Sequence, residues 1–336
     1  MRARPARPRR ASRALALGVG SVAATLVLAA CGSNEPAEEP EAQETEDGTT
    51  LTAQWPLTGL PVDGELPKRP VMVVKVDNST ASAPQVGLGS ADLVAEELVE
   101  GGATRLAAFF HSKLPRVVGP VRSSRATDIG VVKPTDGVLV ASGGAPATVN
   151  RLRQAKIRTV TEGGPGYSRA GDRSAPYNLM MNLRTLAKEV EPATAPAYLP
   201  WSEEGEKFSG RKATSVDAQF SPSRTTSWSF ARGGWTTTSG FSADGDAFRP
   251  DTLLVLRVRV GDAGYRDPGG NPVPETKLQG RGQALVFHGG EVVRGTWKKG
   301  GPATPIELRT KKGPLTLPPG KVWMGLVPTG SGDVRF

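Results

Sequence analysis

The hydrophobic pattern of this chain opens with a block that carries no charge. From Ala14 to Ala30 every residue is apolar or small. Residues 32–54 are the opposite, rich in Glu, Pro, Ala and Thr with almost no bulky apolar side chain, so they read as a disordered tether. Beyond Trp55 apolar runs return at short intervals. Pro70–Val76 (PVMVVKV) predicts a strand rich in β-branched residues. Ser90–Gly102 (SADLVAEELVEGG) predicts a helix capped by Ser90 and ended by Gly101-Gly102. On its wheel Ala91, Val94, Ala95, Leu98 and Val99 form one arc, and Asp92, Glu96, Glu97 and Glu100 the other.

The alternation continues. Thr104–Ser112, Asp136–Ser142 and Ile157–Glu162 predict strands. Ser123 or Ser124 is placed to cap a short helix running to Val132, Gly143–Ala155 reads as a loop entering a helix, and Ala175–Val190 as a last helix. After residue 214 helical periodicity is scarce. Thr225–Gly240 predicts a hairpin around a Gly-Gly turn, and Asp251–Val260, Gly282–Lys299, Thr304–Thr310 and Lys321–Pro328 predict further strands. The expected fold class is therefore α+β or α/β. An N-terminal α/β layer domain over residues 55–200 is followed by a linker over 201–214 and a smaller, mainly antiparallel β domain over 215–336.

Charge changes the picture once it is divided along the chain. The whole sequence of 336 residues carries a formal +9. Six arginines and no acid lie in residues 1–30, and seven acids and no base in residues 35–47. The body from Gly48 onward then holds 36 basic and 26 acidic residues, a net +10. A basic body suits anionic partners such as phosphates, lipid headgroups or wall polymers, or simply keeps the protein in solution. The arginines ahead of the uncharged run make residues 1–30 a secretory signal peptide, too short for a spanning helix. Arg9-Arg10 also admits the twin-arginine route. Leu28–Cys31 (LAAC) resembles a bacterial lipobox, which implies palmitate-type lipidation of Cys31, the only cysteine, and an anchor on the outer face of the cytoplasmic membrane. An ordinary signal peptide with an incidental cysteine is the plainer alternative.

Several longer motifs occur in a fixed order: Pro56–Pro61, Arg69–Asn78, Ala83–Arg105, Val118–Arg125, Ser142–Gly144, Ala175–Leu179, Gly282–Lys299 and Leu317–Pro328. In these the chain resembles the YerB-like bacterial lipoproteins, a two-part domain of unknown function. The resemblance implies a lipoprotein outside the cytoplasmic membrane in two parts, and implies no activity. Family members often carry His where this chain has Tyr177, so no imidazole is available there.

Few residues are arranged for known chemistry. The two histidines, His111 and His288, fall in different predicted domains, and no zinc spacing is present, so neither metal nor cofactor is expected. Asp77 and Glu96 lack the spacing of a calcium loop. Ser123, Ser124 and Ser142 are hydroxyls without an identifiable base, and no G-x-S-x-G turn occurs. Glu96 and Glu100, four apart on the predicted helix, offer paired carboxylates for acid–base work with Asp77 as a third, or merely a solvated face. The arginines are better candidates. Arg105, Arg122 and Arg125 carry forked donors that fit carboxylate and phosphate oxygens, near predicted strand-to-helix turns. Ser142, Gly143 and Gly144 form a second such turn. The alternative is that these arginines pair with Glu96, Glu100 or Asp77 in structural ion pairs.

Three functions remain open: a binding protein for an anionic envelope ligand such as a wall polymer, an envelope-polymer hydrolase or transferase using Glu96 or Asp77, or a scaffold for an envelope protein. No nucleic acid is expected, because the basic residues lack interleaved aromatic side chains.

Overall fold

A computed structural model describes residues 53–203 and 205–336. The signal peptide, Cys31 and all but the last two residues of the tether lie outside the described residues. Everything described belongs to one compact unit, Leu51–Phe336, with its own hydrophobic interior, as expected of a segment that folds by itself.

The chain is mostly β. The first strands are β1 (Met72–Asn78), β2 (Leu93–Leu98), β3 (Thr104–Phe110), β4 (Val138–Val140) and β5 (Arg158–Val160). The short pair β6 (Tyr167–Arg169) and β7 (Leu179–Met181) follows, then β8 (Arg211–Lys212). Next come β9 (Ser215–Ser221), β10 (Arg224–Ala231), β11 (Gly234–Thr237), β12 (Thr252–Arg266) and β13 (Pro272–Lys277). The chain ends with β14 (Gly280–His288), β15 (Glu291–Lys299), β16 (Glu307–Thr310), β17 (Gly313–Pro314), β18 (Val322–Pro328) and β19 (Asp333–Arg335). The α-helices are few and short: α1 (Asp128–Val132), α2 (Pro146–Gln154) and α3 (Leu183–Leu186).

A mixed sheet of 13 strands forms the frame. Its main path runs β17-β16-β15-β14-β12-β18-β2-β3-β1-β4-β5, with β13 paired to β12 and β8 to β15. The decisive seam is β18 against β2, a parallel pairing of Val322–Leu326 with Leu93–Glu97. Strands from both halves of the sequence thus share one sheet. β12–β18, β1–β4 and β4–β5 are also parallel, so antiparallel pairing dominates the second half without being universal.

Period-two alternation gives the central strands two buried faces. Val74, Val76, Val94, Leu106 and Ala108 pack against Val216, Phe220, Trp228 and Trp235 of the four-stranded sheet β11-β10-β9-β19. Val73, Leu93, Ala95, Ala107 and Phe109 pack on the opposite face against Val131, Val132, Leu152 and Tyr198. A strand covered on both sides loses the solvent face by which alternation is normally recognised.

This corrects three expectations. The segment Ser90–Gly102 is not a helix: it leaves the 3-10 turn Leu88–Ser90, runs as strand β2 and ends in a second 3-10 turn at Glu100–Gly102. Its Ala, Leu and Glu content favours helix locally, but partners on both faces of the sheet override that preference. No helix starts at Ser123 or Ser124; α1 begins at Asp128. Ala175–Val190 holds β7 and the four-residue α3, whose cap Asn182 accepts from the Arg184 and Thr185 N–H groups. The α/β layer expected over residues 55–200 is thus largely sheet. The strands expected at β1, β3, β4 and β5, helix α2 and the β10–β11 hairpin are present. Among the described residues no helix is long and apolar enough to cross a membrane.

Candidate functional site: an arginine cluster at the end of β1

Alternation decides which charged residues meet. Lys75 and Asp77 of β1, Glu97 of β2 and Arg105 of β3 share the sheet face that carries Val73 and Ala107; Asp77 and Glu97 both register with Arg105. Glu96 therefore faces the other way. It is fully buried and its Oε1 accepts from Asn78 (3.1 Å), Thr104 (2.7 Å) and Thr226 (2.8 Å), with Arg224 at 3.4 Å. Glu96 and Glu100, expected on one helix face, lie in β2 and in the 3-10 turn after it, in different surroundings.

The segment Gly119–Arg122 runs beside β1 through Asp77 N–H to Pro120 O (3.0 Å) and Arg122 N–H to Lys75 O (2.8 Å). Arg122 Nε then sits 2.9 Å from Asp77 Oδ2, and its guanidinium covers the Tyr177 ring at 5.1 Å. The next residues lie along the end of β4. Ser124 N–H donates to Gly143 O (2.9 Å) and Ser142 N–H to Arg122 O (3.0 Å). Ser124 Oγ donates to the same Gly143 carbonyl (2.9 Å), and the Ser123 and Ser142 hydroxyls are 3.3 Å apart. Gly143 has φ +134°, which favours glycine, and a Cβ on Gly144 would lie 2.6 Å from Ser124 Oγ.

Arg125 forks onto Glu100, with Nε 2.9 Å from Oε2 and Nη2 on Oε1, while its backbone N–H donates to Asp128 Oδ2 (2.7 Å). Arg105 has weaker company: Nη1 donates to Ser123 O (3.2 Å), Nη2 is 3.9 Å from Glu100, and its buried Nε has no partner. Burial, then the positive charge of Arg125, lowers its pKa to about 10. Glu100 is held below the ordinary carboxylate range. Burial pushes it up, but the hydrogen bonds and charge of Arg125 outweigh that.

Behind this cluster Lys75 is completely buried, with Nζ 2.5 Å from Glu97 Oε1 and 2.7 Å from Asp128 Oδ1. Burial raises the Glu97 pKa, against the opposing pull of Lys75. The sequence reading missed this triad. A lone Lys among β-branched residues in MVVKVDN was its one visible signal, since a strand so apolar must pair an interior cation.

A crevice of about 530 Å³ opens over the loops. Ser123, Arg125, Ser142, Gly143 and Gly144 line one side and Tyr265, Arg266 and Asp267 the other. The second wall comes from the β12–β13 arm, held by Tyr265 Oη to Thr148 Oγ1 (2.6 Å), Arg151 forked onto Glu275 (2.8 and 2.6 Å) and Thr276 N–H to Thr127 Oγ1 (3.0 Å). Helix α2 starts at the crevice; its N-cap, Ala145, supplies no capping side chain. Of the residues expected at a ligand site, Ser123, Arg125, Ser142, Gly143 and Gly144 line this crevice. Arg105, Arg122 and Ser124 are not among its lining residues but hydrogen-bond to Ser123, Ser142 and Gly143, which are. Asp77, Glu96 and Glu100 are not among its lining residues.

The hydroxyls have no activating base. Neither Ser123 nor Ser142 has a carboxylate or imidazole among its hydrogen-bond partners. His111 is buried with Nε2 at Arg69 O (3.1 Å), and His288 Nδ1 contacts Thr252 Oγ1 (2.9 Å). No group of three or more His, Cys, Asp or Glu among the described residues is placed to hold a metal ion.

Comparison with known proteins places this architecture. Residues 57–195 match the N-terminal domain, and residues 216–324 the C-terminal domain, of a protein family of unknown function, DUF3048. The chain belongs to this family. YerB of Bacillus subtilis (strain 168), which its name gives as a candidate lipoprotein, is 25% identical over 297 residues, spanning 83% of this chain and 88% of YerB. The crystal structure of YerB matches with a TM-score of 0.71 at 22% identity, over 84% of this chain and all of that one, so the two share a fold. In this chain the two DUF3048 parts meet at the β18–β2 seam, at the packing of β1–β3 on the β9–β11 sheet, and where the β12–β13 arm covers the crevice.

Proposed function

We propose that this chain is a lipid-anchored extracytoplasmic protein that binds an anionic envelope ligand, phosphorylated or carboxylated, in the crevice between the Ser123–Arg125 and Ser142–Gly144 loops and the β12–β13 arm. The anchor reading comes from the LAAC motif at Cys31 and the lipoprotein name given to YerB.

One observation carries the ligand reading. Three guanidinium groups, Arg105, Arg122 and Arg125, gather against two carboxylates, Asp77 and Glu100, so that guanidinium groups outnumber the carboxylates they approach beside the crevice. The ion pairs themselves are the structural alternative weighed from the sequence, and they use much of the arginines' capacity. They also hold the guanidinium planes fixed, which lowers the ordering cost of binding. The uncapped N-terminus of α2 and the paired hydroxyls of Ser123 and Ser142 add neutral donors suited to phosphate or carboxylate oxygens. The enzymatic alternative draws no support from Glu96, which is 0% exposed and outside the crevice.

The test is calorimetric titration of residues 48–336 with phosphate- and carboxylate-bearing wall fragments at two salt concentrations. Salt-sensitive binding that weakens about tenfold or more in Arg125→Lys supports the reading, because lysine cannot reproduce the fork. Absence of binding, or binding unchanged in an Arg122→Ala/Arg125→Ala protein that still melts cooperatively, overturns it.

A further inference from the structure

A second concave site lies on the β16–β17 side of the molecule, apart from the arginine cluster. A groove of about 490 Å³ runs between residues 206–209 and the β16–β17 hairpin. Its floor is apolar, with Phe208, Val293 and Leu315 half-buried in it. Its rim is cationic, with Lys207, Arg294, Lys311 and Lys312 exposed. An adjoining hollow of about 380 Å³ shares Arg294, Thr310 and Lys311 and adds the exposed Arg309.

The charges here differ from those at β1. Arg105, Arg122 and Arg125 approach carboxylates, whereas Arg294, Arg309, Lys311 and Lys312 form no ion pair among the described residues. Among the described residues Glu206 is the one carboxylate in the groove lining, and Thr316 Oγ1 donates to it at 3.3 Å. Arg294 is steadied over the Phe336 ring at 4.7 Å. Lys311-Lys312 form the turn between β16 and β17, and β17 ends the strand path of the large sheet. Strand pairing on that side stops there.

Unpaired cations around an apolar floor match an amphiphile with an anionic head. A soluble polyanion would satisfy the rim but leave Phe208 and Leu315 in water. An anionic lipid satisfies both, with its phosphate among the lysines and glycerol and upper acyl carbons on the floor. We propose that this groove is a membrane-docking site for the phosphate headgroup of an anionic lipid. The inference uses the membrane-anchored part of the proposed function and is independent of the crevice.

The test is flotation of residues 48–336, which lack both the signal segment and Cys31, with phosphatidylcholine vesicles and with mixed phosphatidylglycerol–phosphatidylcholine vesicles. Expected is partition onto the anionic vesicles only, reduced about tenfold or more in Lys311→Glu/Lys312→Glu, both exposed turn residues, and reduced in Leu315→Ser. Arg125→Lys is expected to float as the parent does, which separates this site from the crevice. Equal partition onto both vesicle types, or no loss in the double charge reversal, overturns the proposal. So does displacement by glycerol phosphate or polyglutamate at matched charge, which would make the groove a site for soluble anions or acidic peptides.

Discussion

Lys75 and Glu97 lie two strands apart on one face of the central sheet and meet across β3, where they register with Ala107 and Arg105. Asp128 from the start of α1 completes the contact, so a single buried ammonium holds two carboxylates. Glu96, one residue earlier, does the same kind of work on the opposite face with hydroxyl and amide donors. The interior of the sheet is pinned by polar contacts at neighbouring positions on both sides.

Replacing Lys75 with Met should destabilise the protein by about 3–5 kcal/mol at neutral pH, since two buried carboxylates lose their cation. Urea unfolding at pH 7 measures this. The deficit should shrink in acid, where the Glu97 carboxyl, already raised by burial, binds a proton.

Glu97 gives a pH signature of its own. Its folded pKa is raised by burial, so its favourable contribution is complete below the unfolded value near 4.5 and is lost as pH rises through the folded value. The stability of the parent relative to Glu97→Gln should therefore increase as pH falls from neutral toward 4.5. Paired urea titrations across that range test it; a flat difference contradicts it.

Glu100 has the opposite sign. Its folded pKa lies below 4.5, so its stabilising contribution is present above that value and lost as pH falls through the folded pKa. Arg125→Ala should cost about 3 kcal/mol at pH 7, since it strands a largely buried carboxylate, and distinctly less at pH 3. Arg125→Lys should fall between, keeping charge without the fork.

Gly144→Ala should lower stability by about 1–3 kcal/mol, because the added methyl meets Ser124 Oγ. Adding Ser124→Ala should recover part of the loss in thermal melts. No recovery would place the strain elsewhere.

The Arg151–Glu275 fork joins α2 to the β12–β13 arm. A double-mutant cycle to Ala should return a coupling of about 1 kcal/mol, discounted because Arg151 is partly exposed, and reduced by salt.

The strands of the second half were legible in the sequence because β10, β12, β14 and β15 carry β-branched and aromatic runs punctuated by Gly-Gly or Arg-Gly turns. β2 was not, because LVAEEL has no alternation and Val94 as its one β-branched residue, and its charges find partners only once β1, β3 and β10 are in place. The same cause hid much of the site. Arg125 and Glu100 could be considered as a pair from their types alone, but the wall supplied by Tyr265–Asp267 lies far along the chain from the loops it covers. Ser142–Gly144 was readable because a Gly-Gly step between a strand and a helix has few other uses.

The β18–β2 seam has a temporal consequence. Leu93–Glu97 cannot acquire its parallel neighbour until Val322–Leu326 exists, and those segments stand near opposite ends of the folded body. Pairing across such a separation is entropically slow and comes late. During synthesis β2 waits with one open edge while nearly all the remaining chain is made. A ribosome stalled before residue 322 should therefore display an unfinished, protease-sensitive first half, and the body should become resistant only after its last strands have emerged.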